Sequence, residues 1–127
     1  MLCRQPEEIV KSKNVENGIR QLGLVFSPQI DEEVKGVTVI TSTVLPGGRT
    51  GVHTHPSAQL IFVMEGEGVI KGKNSSLPLR KNAVAYVSAG EEHDTRNTGT
   101  VPLKTVVVFV PCLPDRIIQK LVASNGS

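Results

Sequence analysis

The sequence predicts an all-β protein, a sandwich or barrel with one short helix near its C-terminus. Short runs rich in Val, Ile and Thr recur along the chain, and clusters containing Gly, Pro or Asn separate them. Only the segment 115–123 has apolar residues at helical spacing. We therefore expect roughly eight to ten short strands and one terminal helix.

Length and composition limit the chain to one domain, which we place over residues 1–127. A chain of 127 residues is long enough to bury one core. Hydrophobic residues make up 39% of the sequence but aromatic residues only 3%, so the core must be mostly aliphatic. The formal net charge is +2, and basic and acidic residues are interspersed. This pattern predicts neither a nucleic-acid partner nor a membrane-binding face.

The expected location is the cytoplasm. No apolar run approaches the ~20 residues that cross a bilayer, and the N-terminus lacks the basic-then-apolar pattern of a signal peptide. Cys3 and Cys112 are far apart and form no C-x-x-C pair. We interpret them as two free thiols in a reducing compartment.

The first third of the chain supplies an arm and two strands. Residues 1–18 lack clear periodicity and are expected to form an irregular N-terminal arm or a short edge element. Residues 19–27 read as a strand that Pro28 ends, and 29–35 as a polar loop. A second strand over 36–45 is rich in β-branched residues, with one face formed by Val37, Val39, Thr41 and Thr43.

In the middle of the chain, we expect one strand that begins at Arg49 and carries the histidines. The wholly apolar run over 60–64 predicts a second strand that is buried on both faces. Glycines at 66 and 68 favour a hairpin turn into a strand over 69–71. Glu65 and Glu67 at that turn are interpreted as solvated charges.

The last third predicts short strands over 77–79 and 83–87, with a turn at Asn82 between them. Residues 103–110 form the most strand-like segment and are expected to be a central strand. Asp115 is the expected N-cap of the helix over 115–123, which should lie over the barrel. The single tyrosine, Tyr86, could line the pocket or face outward.

Polar donors cluster between residues 53 and 59. His53 and His55 are one residue apart, so on a strand both imidazoles point to the same side and can reach one ion. Gln59 follows a Pro56-Ser57 step at which the chain can bend, carrying the amide oxygen towards the same point. A His-x-His pair alone is weak evidence, because two exposed histidines give the same pattern. The remaining histidine, His93, follows a turn at Gly90.

The two histidine regions together resemble the two motifs of the cupin superfamily. The first motif matches at every spacing, through Gly47, His53, His55, Gln59 and Gly66, and the second keeps Gly90, His93 and Asn97. The resemblance, which spans most of the chain, is to small single-domain cupins of the cupin 2 conserved barrel type. It implies a double-stranded β-helix, or jelly roll, with a metal held by His53, His55, Gln59 and His93. It also implies a homodimer, since an N-terminal strand crosses to the partner subunit in many cupins.

The chain departs from the family pattern at three points. Gln59 replaces the usual glutamate ligand, so the ligand set is neutral and the charge of the ion should favour an anionic substrate, a hydroxide or an oxyanion. Asn82 replaces a glycine, with Ala83 after it in place of the usual acidic residue, and asparagine tolerates the left-handed backbone that such a turn requires. Ser88 replaces a proline, which we interpret as a local loss of stiffness.

The expected cofactor is one divalent transition metal, Mn, Fe, Zn, Ni or Cu, because imidazole suits them all. The resemblance implies a metal-dependent enzyme of the dioxygenase or lyase type, acting on a small oxygenated organic molecule. The ligand set resembles that of small bacterial cupins that include manganese-dependent hydroxynitrile lyases, and its ligand types occur in polyketide cyclases. No general base can be named from the sequence. The alternatives are a non-catalytic small-molecule binding or sensing protein and a structural role without metal.

Overall fold

The computed structural model describes residues 1–12 and 19–123, which form two antiparallel sheets and one helix. The strands are β1 Val10–Lys11, β2 Arg20–Phe26, β3 Thr38–Val44, β4 Ala58–Glu65, β5 Gly68–Gly72, β6 Ser76–Leu79, β7 Val84–Val87, β8 His93–Asn97 and β9 Leu103–Val110. The helix, α1, is Asp115–Ala123. One sheet has the order β1-β2-β3-β9-β4-β7 and the other β6-β5-β8. The predicted jelly-roll architecture is confirmed.

The central position predicted for residues 103–110 is confirmed. β9 lies between β3 and β4 and pairs with both along nearly its whole length. Its side chains alternate, as the pleat of a strand requires, with buried residues on the inner face. These are Leu103, Thr105, Val107 and Phe109.

The core is aliphatic, as the composition predicts. Among the described residues Phe109 is the one aromatic side chain in a core otherwise made of Leu, Ile and Val. β2 and β3 contribute Leu24, Ile40 and Val44, and β4 contributes Ile61 and Val63. This packed interior forms the floor and lower walls of a cup.

The prediction that β4 is buried on both faces is wrong. Ile61 and Val63 are buried, but Met64, on the other face, is 55% exposed. Both neighbours of β4 belong to the same sheet, so the strand buries its inner face and leaves Met64 on the outer face largely open to solvent. Tyr86 on β7 also lies on this outer face and is 62% exposed, which resolves the alternative left open by the sequence.

The predicted hairpin between β4 and β5 is also wrong. β4 pairs with β7 and β9, whereas β5 pairs with β6 and β8, so residues 66–67 carry the chain from one sheet to the other. Gly66 has φ +87, and a Cβ there would lie 2.6 Å from the carbonyl oxygen of Pro102. Glycine is therefore needed for a crossover, a role that the sequence does not distinguish from a tight turn. Glu65 and Glu67 are exposed, as predicted.

The two ends of the chain largely match expectation. α1 has the predicted bounds, but it begins at Asp115 itself, and Pro114 supplies the carbonyl that accepts the first helical hydrogen bonds. Asp115 is thus a first-turn acid and not the N-cap. In the arm, Pro6–Glu8 form a 3-10 turn and β1 is an edge strand on β2, while residues 13–18 lie outside the described residues. Among the described helices, none has the length and apolar character to span a membrane.

Candidate metal centre

Residues 49–55, called here the histidine segment, lie along β8. Two bridges join them, Arg49 with Arg96 and His53 with His93. From one bridge to the other the chain advances four residues along the histidine segment, from Arg49 to His53, but only three along β8. The segment therefore contains one extra residue, which makes it a β-bulge. Gly51, at φ +82, lies inside it. The regular strand predicted from Arg49 is therefore wrong, because the bulge interrupts its ladder.

The segment and β8 bring the three histidines together. The ring of His53 lies 4.7 Å from that of His55 and 4.2 Å from that of His93, measured between centroids. One nitrogen from each ring lies within 4.8 Å of the others. The edge of His55 also packs against Phe109, with centroids 5.1 Å apart. His93 thus converges with two histidines that precede it by 38 residues or more.

Two backbone carbonyls fix the orientation of two of these rings. Nδ1 of His53 donates to the carbonyl oxygen of Gly51 at 2.7 Å, and Nδ1 of His93 donates to that of Glu91 at 2.9 Å. Since a carbonyl can only accept, Nδ1 carries the proton and Nε2 of each neutral ring has a lone pair. Hydrogen bonding of the distal ring nitrogen is the usual means by which proteins orient metal-binding imidazoles.

Gln59 is the fourth predicted ligand, and β4 places it in the cluster. Its side chain is only 4% exposed, and its Nε2 lies 3.0 Å from Nε2 of His93. Because the imidazole nitrogen bears a lone pair, the amide donates to it in this arrangement. A half-turn of the amide about its last side-chain bond would instead present its oxygen to the same point.

Asp94 holds the bulge of the histidine segment in place. It is 1% exposed, and its Oδ1 accepts the Gly51 N–H at 3.0 Å. Its Oδ2 is paired with Arg96 at 2.8 Å and Arg49 at 3.1 Å. Gly51 therefore donates its N–H to Asp94 and accepts from His53 at its carbonyl, so the carboxylate acts on the imidazole through one residue, Gly51.

Burial keeps the site neutral. The pKa of His55 is lowered to about 4, mainly by desolvation and in smaller part by electrostatic interaction with His53, His93 and Arg20. Desolvation likewise lowers the pKa of His53, partly offset by its hydrogen bond to Gly51. Both rings are therefore uncharged at neutral pH, the form that binds a metal.

The histidines and Gln59 line a cavity of about 100 Å³ inside the cup. β3 and β9 form much of its apolar wall, and Ile117 and Leu121 of α1 also line it. The other polar side chains on its wall are Arg20, Ser42, Thr50, Thr95 and Thr105. No Asp or Glu of the described residues lines the cavity, so Arg20 supplies its one fixed charge.

Arg20 and Asp94 are the functional candidates that sequence reasoning missed. Arg20 lies in an apolar strand, and an arginine among inward-facing leucines was a signal that could have been used. Asp94 directly follows His93, but nothing local indicates that it accepts from Gly51, 43 residues earlier.

The donor set fits a divalent transition ion. Two nitrogens bound at about 2.1 Å lie at most about 4.2 Å apart, so the 4.8 Å spread closes with ring shifts of the order of 1 Å. The lone pairs of His53 and His93 are already on the required nitrogens. Nothing in this neutral set selects one ion.

Comparison with known proteins establishes the family. A sequence profile for the cupin domain matches residues 40–109, more than half of the chain. The chain belongs to the cupin domain family, and the resemblance inferred from the two motifs is confirmed.

An oxalate-binding protein from Thermotoga maritima is 29% identical over 66 residues, 51% of this chain and 54% of that protein. The chain spans about half the length of the curated relatives it matches. The crystal structure of a predicted oxalate decarboxylase from Thermotoga maritima gives a TM-score of 0.75 at 22% identity, covering 87% of this chain and 99% of that one. Ectoine synthase from P. lautus gives 0.76 at 20% identity, covering 94% and 85%. At these identities the solved structures establish the fold alone.

Proposed function

We propose that the protein binds one divalent transition metal through His53, His55, His93 and Gln59. The metal would serve an enzyme of the dioxygenase or lyase type that acts on a small oxygenated organic molecule. The observation that carries this proposal is the convergence of three histidine nitrogens within 4.8 Å on the wall of a cavity. Mn, Fe, Zn, Ni and Cu all remain candidates for the ion.

The cavity beside the cluster supports a role beyond structure. When bound, such an ion polarises a carbonyl or phosphoryl oxygen and lowers the pKa of water. The protein's own part is to hold the imidazoles in their neutral form, to orient them through Gly51 and Glu91, and to restrict the cavity to small ligands. The oxalate-binding relative further supports a small oxygenated ligand.

A second candidate function is binding or sensing without turnover. It is favoured by the absence of Asp and Glu from the cavity wall, among the residues that the structure describes. Each cavity histidine belongs to the cluster, so no separate side chain offers itself as general base.

Metal content and turnover are the two measurements that test the proposal. The protein is purified without a metal-affinity tag and subjected to elemental analysis. It is then loaded with Fe, Mn or Zn and incubated with diketones, flavonols, cyanohydrins and sugars. We expect about one metal ion per chain and a product with at least one metal. Absence of metal overturns the metal site, whereas saturable ligand binding without any product rejects the enzyme in favour of the binding protein.

Substitution of Gln59 by Glu tests the fourth ligand. An anionic oxygen should tighten zinc binding and lower the Lewis acidity of the ion. Gln119→Glu, on the exposed side of α1, introduces the same change of charge and should leave zinc affinity unchanged. Equal zinc affinity for Gln59→Glu and the wild type would show that residue 59 does not bind the ion.

We further propose a homodimer located in the cytoplasm. The outer face of β4 and β7 supports self-association, since Phe62, Met64, Val84 and Tyr86 are all exposed there. Light scattering coupled to size-exclusion chromatography tests the dimer, and a monomer at micromolar concentration would reject it.

A further inference from the structure

Ser42 on β3 and Thr105 on β9 interrupt the apolar wall of the cavity. They are direct cross-strand partners in the antiparallel ladder, and both line the same cavity as the three histidines. On β9 the inner-facing neighbours of Thr105 are Leu103 and Val107, both buried apolar residues. Directly opposed side chains of an antiparallel pair have Cβ atoms about 4.5–5.5 Å apart, so both hydroxyls can reach one ligand atom.

The two hydroxyls have no hydrogen-bond partner in the part of the chain that the structure describes. Thr105 is only 6% exposed, and Ser42 is partly buried. Thr38, also on the inner face of β3, differs from both, because its Oγ1 accepts the Leu113 N–H at 2.9 Å. A hydroxyl buried without a partner costs stability. The pair on the cavity wall is therefore explained if a ligand supplies the partner.

The pair lies at a different level of the cavity from the proposed metal site. Gln59 on β4 pairs with Phe109, and Thr105 precedes Phe109 by four residues on β9. At about 3.3 Å per residue, the pair lies about 13 Å from Gln59 along the sheet. A hydrogen-bond distance of about 3 Å at each end leaves about 7 Å, the length of an extended chain of about six atoms. The cavity wall includes residues at both levels.

We propose that Ser42 and Thr105 form a second polar subsite, which binds an uncharged oxygen at the far end of an elongated ligand. A hydroxyl both donates and accepts, so the pair takes an alcohol or a carbonyl oxygen. The ligand is then a short aliphatic chain with an oxygenated group at each end, one at the histidines and one at the pair. The first of these contacts rests on the metal site proposed above, whereas the subsite itself does not require the metal.

The competing interpretation is that the two hydroxyls stabilise the sheet by bonding to each other. Cross-strand pairs of Ser and Thr stabilise antiparallel sheets in this way. Removal of either hydroxyl would then lower stability, and binding would not depend on an oxygen in the ligand. The discriminating quantities are the urea midpoint and the ratio of affinities for two probes that differ in that oxygen.

The probes are ω-hydroxyhexanoate and heptanoate, in which a methyl group replaces the terminal hydroxyl. The shorter acids ω-hydroxypropanoate and butanoate form a second pair of the same kind. NMR titrations give the dissociation constants for wild type, Ser42→Ala and Thr105→Val, each with zinc bound and after chelation. Thr43→Val is the matched control, because Thr43 adjoins Ser42 on β3 but faces the outer side of the sheet.

The affinity for ω-hydroxyhexanoate divided by that for heptanoate should fall about 3-fold or more in Ser42→Ala and in Thr105→Val. Each substitution removes a partner of the ligand hydroxyl and a polar group that opposes the methyl. Thr43→Val should keep the wild-type ratio. The ratio for the short pair should be the same in wild type and variants, because its chain cannot reach both ends.

Stability provides the second measurement, made by urea denaturation of the chelated protein. Thr105→Val should keep or raise the midpoint, because it removes a hydroxyl that lacks a partner within the described residues. Thr38→Val should lower the midpoint, because the Leu113 N–H loses its acceptor.

Three results would overturn the subsite: no measurable binding of ω-hydroxyhexanoate, the wild-type affinity ratio in both variants, or a Thr105→Val midpoint lowered as far as that of Thr38→Val. Failure of the metal site has a different signature. A wild type that takes up no zinc, but whose affinity ratio still falls in the two variants, rejects the metal proposal and supports the subsite. A protein that takes up zinc and keeps its ratio in both variants does the reverse.

Discussion

The six-stranded sheet and the histidine segment are ordered by different forces. In the sheet, β9 pairs along nearly its full length with two neighbours, and its inner residues are buried in an aliphatic core. The histidine segment has two isolated bridges and a bulge, and the Asp94 carboxylate holds it. The sheet thus depends on apolar burial and the segment on polar contacts. Stability and site geometry should therefore be separable by mutation.

The largest effect on stability is expected in the sheet. Leu24 on β2 is 0% exposed, so Leu24→Ala should lower the free energy of unfolding by about 2–5 kcal/mol. Urea denaturation of the chelated protein measures this loss. Leu77→Ala, the same change on exposed β6, should cost less than about 0.5 kcal/mol. Folded Leu24→Ala should retain its zinc stoichiometry, and loss of zinc from the folded variant would show that the two regions are coupled.

Asp94→Ala acts on the histidine segment, and we expect it to lower the free energy of unfolding by about 2 kcal/mol. The substitution leaves Gly51 N–H without its carboxylate, while Arg49 and Arg96 are exposed enough to be solvated. Because Gly51 orients His53, zinc affinity should also fall about 10-fold. Asp94→Asn keeps an oxygen for Gly51 and should retain more of the zinc affinity. Equal zinc affinity for Asp94→Ala and the wild type would separate the bulge from the metal site.

The same division decides what the sequence could predict. β3, β9 and α1 could be predicted because burial of one face requires apolar residues at a period of two in a strand and 3.6 in a helix. The bulge at Gly51 and the crossover at Gly66 depend on which strands pair, and a local glycine is compatible with several outcomes.

The candidate site shows the same limit. The three histidines and Gln59 carry a spacing that identifies them together. Arg20 and Asp94 act through partners 30 and 43 residues away, so only the folded chain shows their roles.

Acidification should lower the free energy of unfolding through the histidine cluster. In the unfolded chain His55 is protonated below about pH 6.5, but in the folded chain only below about 4, so the unfolded state binds more protons between these values. Stability is therefore lost as the pH falls through this window, and the lowered pKa of His53 acts in the same direction.

After discounting for the partial exposure of His55, we expect a loss of about 1 kcal/mol between pH 7 and pH 5 in the chelated protein. Urea denaturation at the two pH values measures it. His55→Gln removes the titrating group and should reduce the loss, whereas an unchanged pH dependence in that variant would assign the effect to other groups.

His55→Ala should give the smallest change in stability, less than about 1 kcal/mol, and yet remove most of the bound metal. His55 is partly exposed, and the backbone hydrogen bonds that orient the cluster are made by His53 and His93. Removal of the His55 ring should therefore cost little stability. Zinc content and circular dichroism, measured on one sample, test both halves. Thr54→Ala, an exposed neighbour between the two histidines, should keep both metal and fold. Global unfolding of His55→Ala would contradict the separation, because the six-stranded sheet would then depend on the histidine segment.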